Sequence, residues 1–177
     1  MTMRLRASDR LIDALNEQIG NEMYASMKYI SIATYFDDET LPTLARFFYR
    51  QSEEEREHAM KFVRFILELG GRVRMPAIPQ PTADFESAEH AVQLALTSEE
   101  KVTGQIQQLA RIAEDEHNYL ARNFLNWFLD EQLEEEDTIE ALLNTIRRAG
   151  PERLLDVEAY LQREASTIGT GAPEGGE

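Results

Sequence analysis

Glycine and proline interrupt this chain at few places, and the spacing of those interruptions limits the folds that it can adopt. Between them lie four segments, from about Asp9 to Asp37, Pro42 to Leu69, Ser87 to Glu116 and Tyr119 to Arg148. As helices, each would hold about 28 residues and extend ~40 Å at 1.5 Å per residue. Ser8 and Asp9 can cap the first segment, and Pro42 suits the first turn of the second. The sequence therefore predicts four long helices.

The connections predict how those helices are arranged. "DDETLP" and "DEHNY" are short breaks, whereas "GGRVRMPAIPQPTADFESAEH" carries three of the six prolines and has no helical period. Short connections make antiparallel neighbours, and a long middle connection can return the chain to the starting end of a bundle. We predict an all-α four-helix bundle with one long crossover connection. A short fifth helix over "ERLLDVEAYLQREA" follows, so residues 1–168 form a single domain and residues 169–177 a disordered tail.

Composition excludes several classes of protein. The net charge of −15 argues against nucleic acid as a partner, since phosphate binding needs a basic surface. No stretch approaches the ~18 apolar residues of a membrane span. Cysteine is absent, which excludes disulfides and thiolate metal sites and fits a cytoplasmic protein. The N-terminal "MTMRLRASDRLIDAL" has no secretory signal pattern, so we expect none.

Polar residues occupy apolar rows of the second helix. Residues seven apart stay on one helix face to within ~20° per step. One such row is Leu41, Phe48, Glu55, Phe62 and Leu69, and another is Leu44, Gln51, His58 and Phe65. Glu55 and His58 therefore point inward from the same face. Glu53 and Glu57 are predicted to be solvated, and Glu54 lies in a mostly polar row.

Each of the other helices repeats this pattern near its midpoint. In the first helix the row is Leu15, Glu22, Tyr29 and Phe36, and in the third it is Val92, Glu99, Ile106 and Ala113. The fourth helix has two adjacent rows, one of Phe128, Glu135 and Leu142 and the other of Leu125, Gln132, Ile139 and Ile146. An isolated buried carboxylate is strongly disfavoured, and several together would repel. Bound cations remove both problems, so the rows predict a metal site. A bundle with a Glu from each of two helices and Glu-x-x-His from each of the other two is a known di-iron arrangement, and this chain has Gln-x-x-Glu in place of the second Glu-x-x-His.

The spacing of these residues supports the same interpretation. Glu22 precedes Glu55 by 33 residues and His58 by 36, and Glu99 precedes Gln132 by 33 and Glu135 by 36. Two helical hairpins related by a pseudo-twofold axis would give this repeat. Any one of these residues alone could be a solvated or misassigned side chain, and Glu114-x-x-His117, with the same spacing, is predicted to be surface.

The sequence resembles the non-haem bacterial ferritins of the ferritin-like di-iron carboxylate family. The resemblance is carried by "LNEQIGNEMYASMKY", "EEEREHAM", Glu99 in "EEKVTGQI" and "NFLNWFLDEQLEEE", and it extends over about residues 8–165. It implies a ferritin-like bundle that stores and detoxifies iron. Fe(II) would be oxidised by O2 or H2O2 at a dinuclear ferroxidase centre, and ferric mineral would form inside a hollow shell of twenty-four identical subunits.

The resemblance also implies roles for individual residues. Glu22, Glu55 and His58 would hold the first iron, and Glu55, Glu99 and Glu135 the second, with Glu55 shared. Gln132 would contact a bound oxygen species or orient a ligand. Tyr29 and Trp127 match aromatic residues near the family's centre that can supply an electron, although core packing explains them as well. A third iron site would map to Glu54, Glu131 and Glu134.

The sequence differs from related families at positions that bear on haem binding and on function. Bacterioferritins have a haem-ligating methionine where this chain has Arg56 and a second Glu-x-x-His where it has Gln132-x-x-Glu135, so we predict that no haem is bound. Two rival functions remain open. One is a non-storage di-iron oxidase or peroxidase on the same bundle. The other is a helical adaptor without metal, which does not account for polar groups in all four apolar stripes.

Overall fold

Residues 6–169 are described by the computed structural model, with side chains described as far as Glu164. The chain forms the helices α1 (Asp9–Asp38), α2 (Pro42–Glu68), α3 (Ala88–Asp115), α4 (Tyr119–Ala149) and α5 (Leu154–Gly169), with a short 3-10 turn at Pro151–Arg153 before α5. This all-α architecture, four long helices and a short fifth, confirms the predicted fold class. None of the helices in this part of the chain is long and apolar enough to cross a membrane.

Side-chain caps begin three of the four long helices. Ser8 Oγ accepts a hydrogen bond from the Leu11 amide at 3.0 Å, and Asn118 Oδ1 accepts one from Ala121 at 3.1 Å. At the start of α3, Ser87 Oγ accepts from the His90 amide, and His90 Nδ1 in turn accepts from the Glu86 amide. These bonds satisfy amide donors that the first turn of a helix leaves unpaired.

The start of α2 is completed from α5. Its N-cap residue, Leu41, provides no side-chain cap. Instead the Glu158 carboxylate accepts hydrogen bonds from the amides of Thr43, at 2.8 Å, and Leu44, also at 2.8 Å. A carboxylate at this position also favours the positive end of the α2 dipole. Glu158 therefore holds α5 against the bundle. Helix α5 continues past the predicted end at Ala165 to Gly169, and residues 170–177 of the expected tail lie outside the described residues.

The long crossover, residues 69–87, runs along α1. Asn16 holds it with both ends of its amide, donating to the Arg72 carbonyl at 3.1 Å and accepting from the Arg74 amide at 2.6 Å. Further along, Pro76 packs directly on Gly20, where an added Cβ would lie 2.4 Å from the proline Cγ. Glycine at position 20 thus allows the crossover to approach α1.

The core of the bundle consists of two apolar clusters. One includes Leu15, Phe62 and Phe128, and the other includes Phe36 and Phe48. Along every long helix, the members of one cluster come before the midpoint and the members of the other come after it. Between them lies a layer that we call the central polar layer, consisting of Glu22, Glu55, His58, Glu99, Gln132 and Glu135.

Candidate metal centre

The central polar layer is almost completely shielded from solvent. Of its six residues, none is more than 6% exposed, and Glu22 and Glu55 have no exposed surface. Each of the four long helices supplies at least one of these residues, and each residue lies in an apolar row of side chains spaced seven apart. The structure thus brings together all six residues that the sequence analysis placed at the centre.

Potential ligand atoms converge in two adjoining groups. One ligand atom from each of Glu22, Glu55 and His58 lies within 4.8 Å of the other two, and the same holds for Glu55, Glu99 and Glu135. Glu55 belongs to both groups. The histidine joins them from the side, with Nδ1 3.5 Å from Glu55 Oε2 and Nε2 3.8 Å from Glu135 Oε1. These residues could hold cations in two neighbouring groups that share one carboxylate.

Hydrogen bonds engage some carboxylate oxygens and leave others free. Glu22 Oε1 accepts from Gln18 Nε2 at 2.9 Å. Both oxygens of Glu99 are engaged, since Tyr29 OH donates to Oε1 and Gln132 Nε2 donates to Oε2 at 3.0 Å. Glu99 is therefore the most restrained carboxylate of the layer.

Seven other buried polar atoms of the layer receive no hydrogen bond from an amide, hydroxyl or imidazole group of the described residues. They are Glu22 Oε2, both oxygens of Glu55, both oxygens of Glu135, His58 Nδ1 and Gln132 Oε1. Buried polar atoms are satisfied in the large majority of cases. Seven unsatisfied atoms in one layer, nearly all of them carboxylate oxygens or imidazole nitrogen, fit a site that binds hard cations.

The electrostatics of the layer disfavour ionised carboxylates when no cation is bound. Burial raises the pKa of Glu55 to about 7 and that of Glu135 to about 11, and neighbouring carboxylates add to the effect at Glu135. Burial also raises the pKa of Glu99, and raises that of Glu22 well above its usual value. It lowers the pKa of His58, which favours the neutral imidazole that a metal requires. Cations would favour the ionised carboxylates.

The three residues predicted for a third site are placed differently from one another. Glu131 is half-buried, and one of its oxygens lies within 4.8 Å of ligand atoms of His58 and Glu135. Glu54 and Glu134 are exposed. The structure therefore joins Glu131 to the edge of the central polar layer and leaves the other two acids on the surface.

Two aromatic residues contact members of the layer. Tyr29 is fully buried and bonded to Glu99, as described above. Trp127 is 39% exposed, and its ring meets the edge of His58 with centroids 5.6 Å apart. The ammonium group of Lys61 lies 4.0 Å from the centroid of the indole.

The side chains expected at the surface lie there. Glu53, Glu57, Glu114 and His117 are all exposed. His117 ends the turn between α3 and α4 with a positive φ of 51°. The Glu114-x-x-His117 spacing thus forms no part of the buried layer.

Gln18 is a site residue that the sequence analysis missed. It is only 2% exposed and lies one turn before Glu22 on α1. Its row, Leu11, Gln18, Ala25 and Ile32, is buried throughout. The heptad test that identified Glu22 would therefore have identified Gln18 too, had it been applied to amides on this helix.

Known proteins match this chain over most of its length. Residues 12–149 match the family model described as a ferritin-like domain. Ferritin BfrB of Mycobacterium tuberculosis is 40% identical over 161 residues, which cover 90% of this chain and 88% of that protein. A bacterial non-heme ferritin of Staphylococcus aureus is 37% identical over 143 residues, covering 81% and 86%. Among solved structures, the open pore ferritin of Archaeoglobus fulgidus superimposes with a TM-score of 0.86 at 33% identity, covering 89% of this chain and 98% of that one.

Proposed function

The chain belongs to the ferritin family, and we propose that it oxidises Fe(II) to Fe(III) at the central polar layer and stores the product. The oxidant is O2 or H2O2, and ferric mineral forms inside a hollow, cytoplasmic shell of twenty-four identical subunits. Iron is both the substrate and the cargo. The similarity to proteins named as ferritins supports the iron-storage function.

One observation carries the ferroxidase proposal. Four different helices bring carboxylate oxygens to one buried layer, and five of those oxygens have no partner within residues 6–169. Such an arrangement is strongly unfavourable when ionised unless cations bind. Carboxylate oxygens with one imidazole suit iron, and they stabilise Fe(III) more than Fe(II).

The proposed ligand sets follow the two groups of atoms. Glu22, Glu55 and His58 hold one Fe(II), and Glu55, Glu99 and Glu135 hold the other. The shared Glu55 keeps the two ions adjacent. Each ion gives up one electron, and with two protons the pair reduces one O2 to H2O2 without release of a one-electron oxygen radical.

Neighbouring residues adjust this chemistry. Tyr29 and Gln132 both donate hydrogen bonds to Glu99 and orient it. Both oxygens of Glu99 carry such a bond, whereas Glu22 keeps Oε2 without one. The second ion therefore competes with hydrogen bonds and is held more weakly, which suits a product that must leave for the mineral. Glu131, with Glu54 and Glu134 nearby on the surface, would receive iron on its way out. Tyr29, which is hydrogen-bonded to Glu99, would also supply an electron.

We propose that the chain binds no haem. Arg56, at the position of the haem-ligating methionine in bacterioferritins, is exposed and lies 3.8 Å from Glu57. A guanidinium group remains protonated in proteins and has no lone pair to give to haem iron.

Aerobic addition of Fe(II), followed by ferric absorbance and particle size together, tests the storage function. We expect many irons to be oxidised per chain in a particle of several hundred kilodaltons. A small particle that takes up two irons per chain and stops would instead indicate a non-storage di-iron oxidase or peroxidase. Absence of uptake would indicate a bundle without a metal function.

Glu55→Ala tests the position of the centre. Removal of the shared carboxylate should abolish rapid oxidation and leave assembly intact, because a buried charge is removed rather than stranded. Glu57→Ala, an exposed acid on the same helix, is the matched control and should oxidise Fe(II) at the parent rate. Parent-rate oxidation by Glu55→Ala would show that the centre lies elsewhere.

A further inference from the structure

The amide of Gln18 has a defined orientation beside the proposed centre. Its Nε2 donates to Glu22 Oε1 at 2.9 Å, and its Oε1 accepts from Asn21 Nδ2 at 2.9 Å. Asn21 thus donates to the oxygen of the Gln18 amide, and the amino group of Gln18 donates to the carboxylate. Both ends of the side chain are thus held.

This bond divides the two oxygens of Glu22 between different partners. Oε1 is engaged by Gln18, whereas Oε2 is buried without a partner among the described residues. Glu22 forms one of the two ligand groups with Glu55 and His58. Oε2 is therefore the Glu22 oxygen that no hydrogen bond competes for in that group.

We infer that Gln18 is a positioning residue that holds Glu22 as a one-oxygen ligand, with Oε2 directed to the first cation. This inference rests on the proposed function. Without the amide, the carboxylate could rotate about its terminal torsion, which is broad and only weakly restrained. The ligand would then have to be ordered each time a metal binds. Groups that orient metal ligands in this way typically contribute 10- to 100-fold in metal affinity.

Packing alone does not explain the amide. Gln18 lies at the floor of a groove of about 380 Å³ between α1 and α3, which also exposes Gly104 and Gln105. An added Cβ at Gly104 would meet nothing within 4 Å. Because the groove leaves room beside Gln18, hydrogen bonds rather than close packing fix its direction. An apolar side chain could therefore replace it without a clash from that side.

Asn16 provides a contrasting buried amide on the same helix. It is 6% exposed, and its hydrogen bonds go to the backbone of α1 and of the crossover, at Ile12, Arg72 and Arg74. Its role is to anchor the crossover, away from the ligand groups. Asn16→Leu thus serves as a control that removes a buried amide without touching Glu22.

Anaerobic Co(II) titration of the full chain tests the inference, with calorimetry for affinity and the visible d–d bands for ligand geometry. Gln18→Leu should weaken the first Co(II) site by about 10- to 100-fold and shift its bands. Asn21→Ala, which loosens Gln18 without removing its donor, should weaken the site less. Asn16→Leu should lower the unfolding midpoint and leave the first-site affinity at the parent value.

Two results would separate the failure of this inference from failure of the proposed function. If Glu22→Ala loses the first site while Gln18→Leu and Asn21→Ala keep parental affinity and bands, the positioning role is overturned and the centre stands. If Glu22→Ala also binds the first Co(II) as the parent does, Glu22 is no ligand and both ideas fall.

Discussion

Gln132 on α4 donates a hydrogen bond to Glu99 on α3, with Nε2 3.0 Å from Oε2. The bond ties the two helices of the second hairpin together across the central polar layer. It also marks the main difference between the two halves of the site, because the corresponding position of the first hairpin, Glu55, is a carboxylate. Each hairpin therefore supplies two carboxylates to the layer, and the second adds the Gln132 amide where the first adds the His58 imidazole.

Gln132→Glu should strengthen the second cation site. An added carboxylate next to Glu99 raises the ligand charge, and ligand charge tunes the affinity of hard-cation sites over decades, so we expect the second Co(II) to bind about tenfold more tightly or better. Retained product should then slow repeated rounds of Fe(II) oxidation. Calorimetry and multi-turnover kinetics measure the two effects. Gln107→Glu, an exposed change on α3, is the control, and equal second-site affinities in both variants would contradict the prediction.

The metal-free protein should lose stability as pH rises. Burial and nearby carboxylates raise the folded-state pKa of Glu135 to about 11 from an ordinary value of 4.5. Between those values the folded state holds a proton that the unfolded state has lost, so stability falls with increasing pH. Glu55, with a pKa of about 7, also lowers stability as the pH rises from 4.5 to about 7.

Urea unfolding at several pH values, with a chelator present and subunit concentration fixed, measures this dependence. Glu135→Gln removes the titrating group and should flatten the decline, whereas the exposed change Glu140→Gln should not. A Glu135→Gln protein whose stability declines with pH as steeply as the parent's would show that this carboxyl titrates normally in the fold.

Glu158→Ala should release α5 from the start of α2. The variant leaves the amides of Thr43 and Leu44 without their charged acceptor. Hydrogen bonds to charged groups contribute about 1.5–3 kcal/mol, so we expect a loss of about 2 kcal/mol in the free energy of unfolding. Amide exchange should also accelerate in the first turn of α2. Glu152→Ala removes an exposed acid near the same end and should change neither measurement.

The two glycines inside long helices should respond oppositely to alanine. Gly104→Ala meets open space and should stabilise the protein by about 0.5–1 kcal/mol through helix propensity. Gly20→Ala would place its methyl 2.4 Å from Pro76 Cγ. Because the proline ring cannot turn aside, we expect a net loss of about 1–2 kcal/mol, within the usual range for overpacking. Unfolding midpoints of the two variants that move in the same direction would contradict this account.

The sequence could predict the central polar layer because seven residues nearly complete two helical turns. Over the middle of a helix the drift of ~20° per heptad is too small to move a side chain from the core to the surface. Glu22 and Glu135 were identified for that reason. At the edges of the apolar stripe the same drift matters. Glu131 lies in the mixed row Phe124, Glu131, Thr138 and Thr145. That row does not predict burial, yet one oxygen of Glu131 lies within 4.8 Å of a ligand atom of His58.

Contacts between distant parts of the chain leave no periodic signal. The packing of Pro76 on Gly20 and the capping of α2 by Glu158 each join segments far apart in sequence. Helix periodicity reports only which side of an element is buried. The sequence could therefore predict that a long connection exists, whereas its path along α1 and the docking of α5 required the folded chain.

Because the apolar core is divided into two clusters, the stability of the middle of the bundle should depend on whether cations are bound there. In the metal-free protein the halves of the bundle meet across a layer of buried acids whose raised pKa values keep protons on them. This layer has few apolar contacts, so we expect the backbone to open most readily at the midpoints of the helices. Cations bound in the central polar layer would link all four long helices through their carboxylates. Backbone amides near Glu22 and Glu99 should then exchange far more slowly, while those near Phe36 and Phe62 keep their rates.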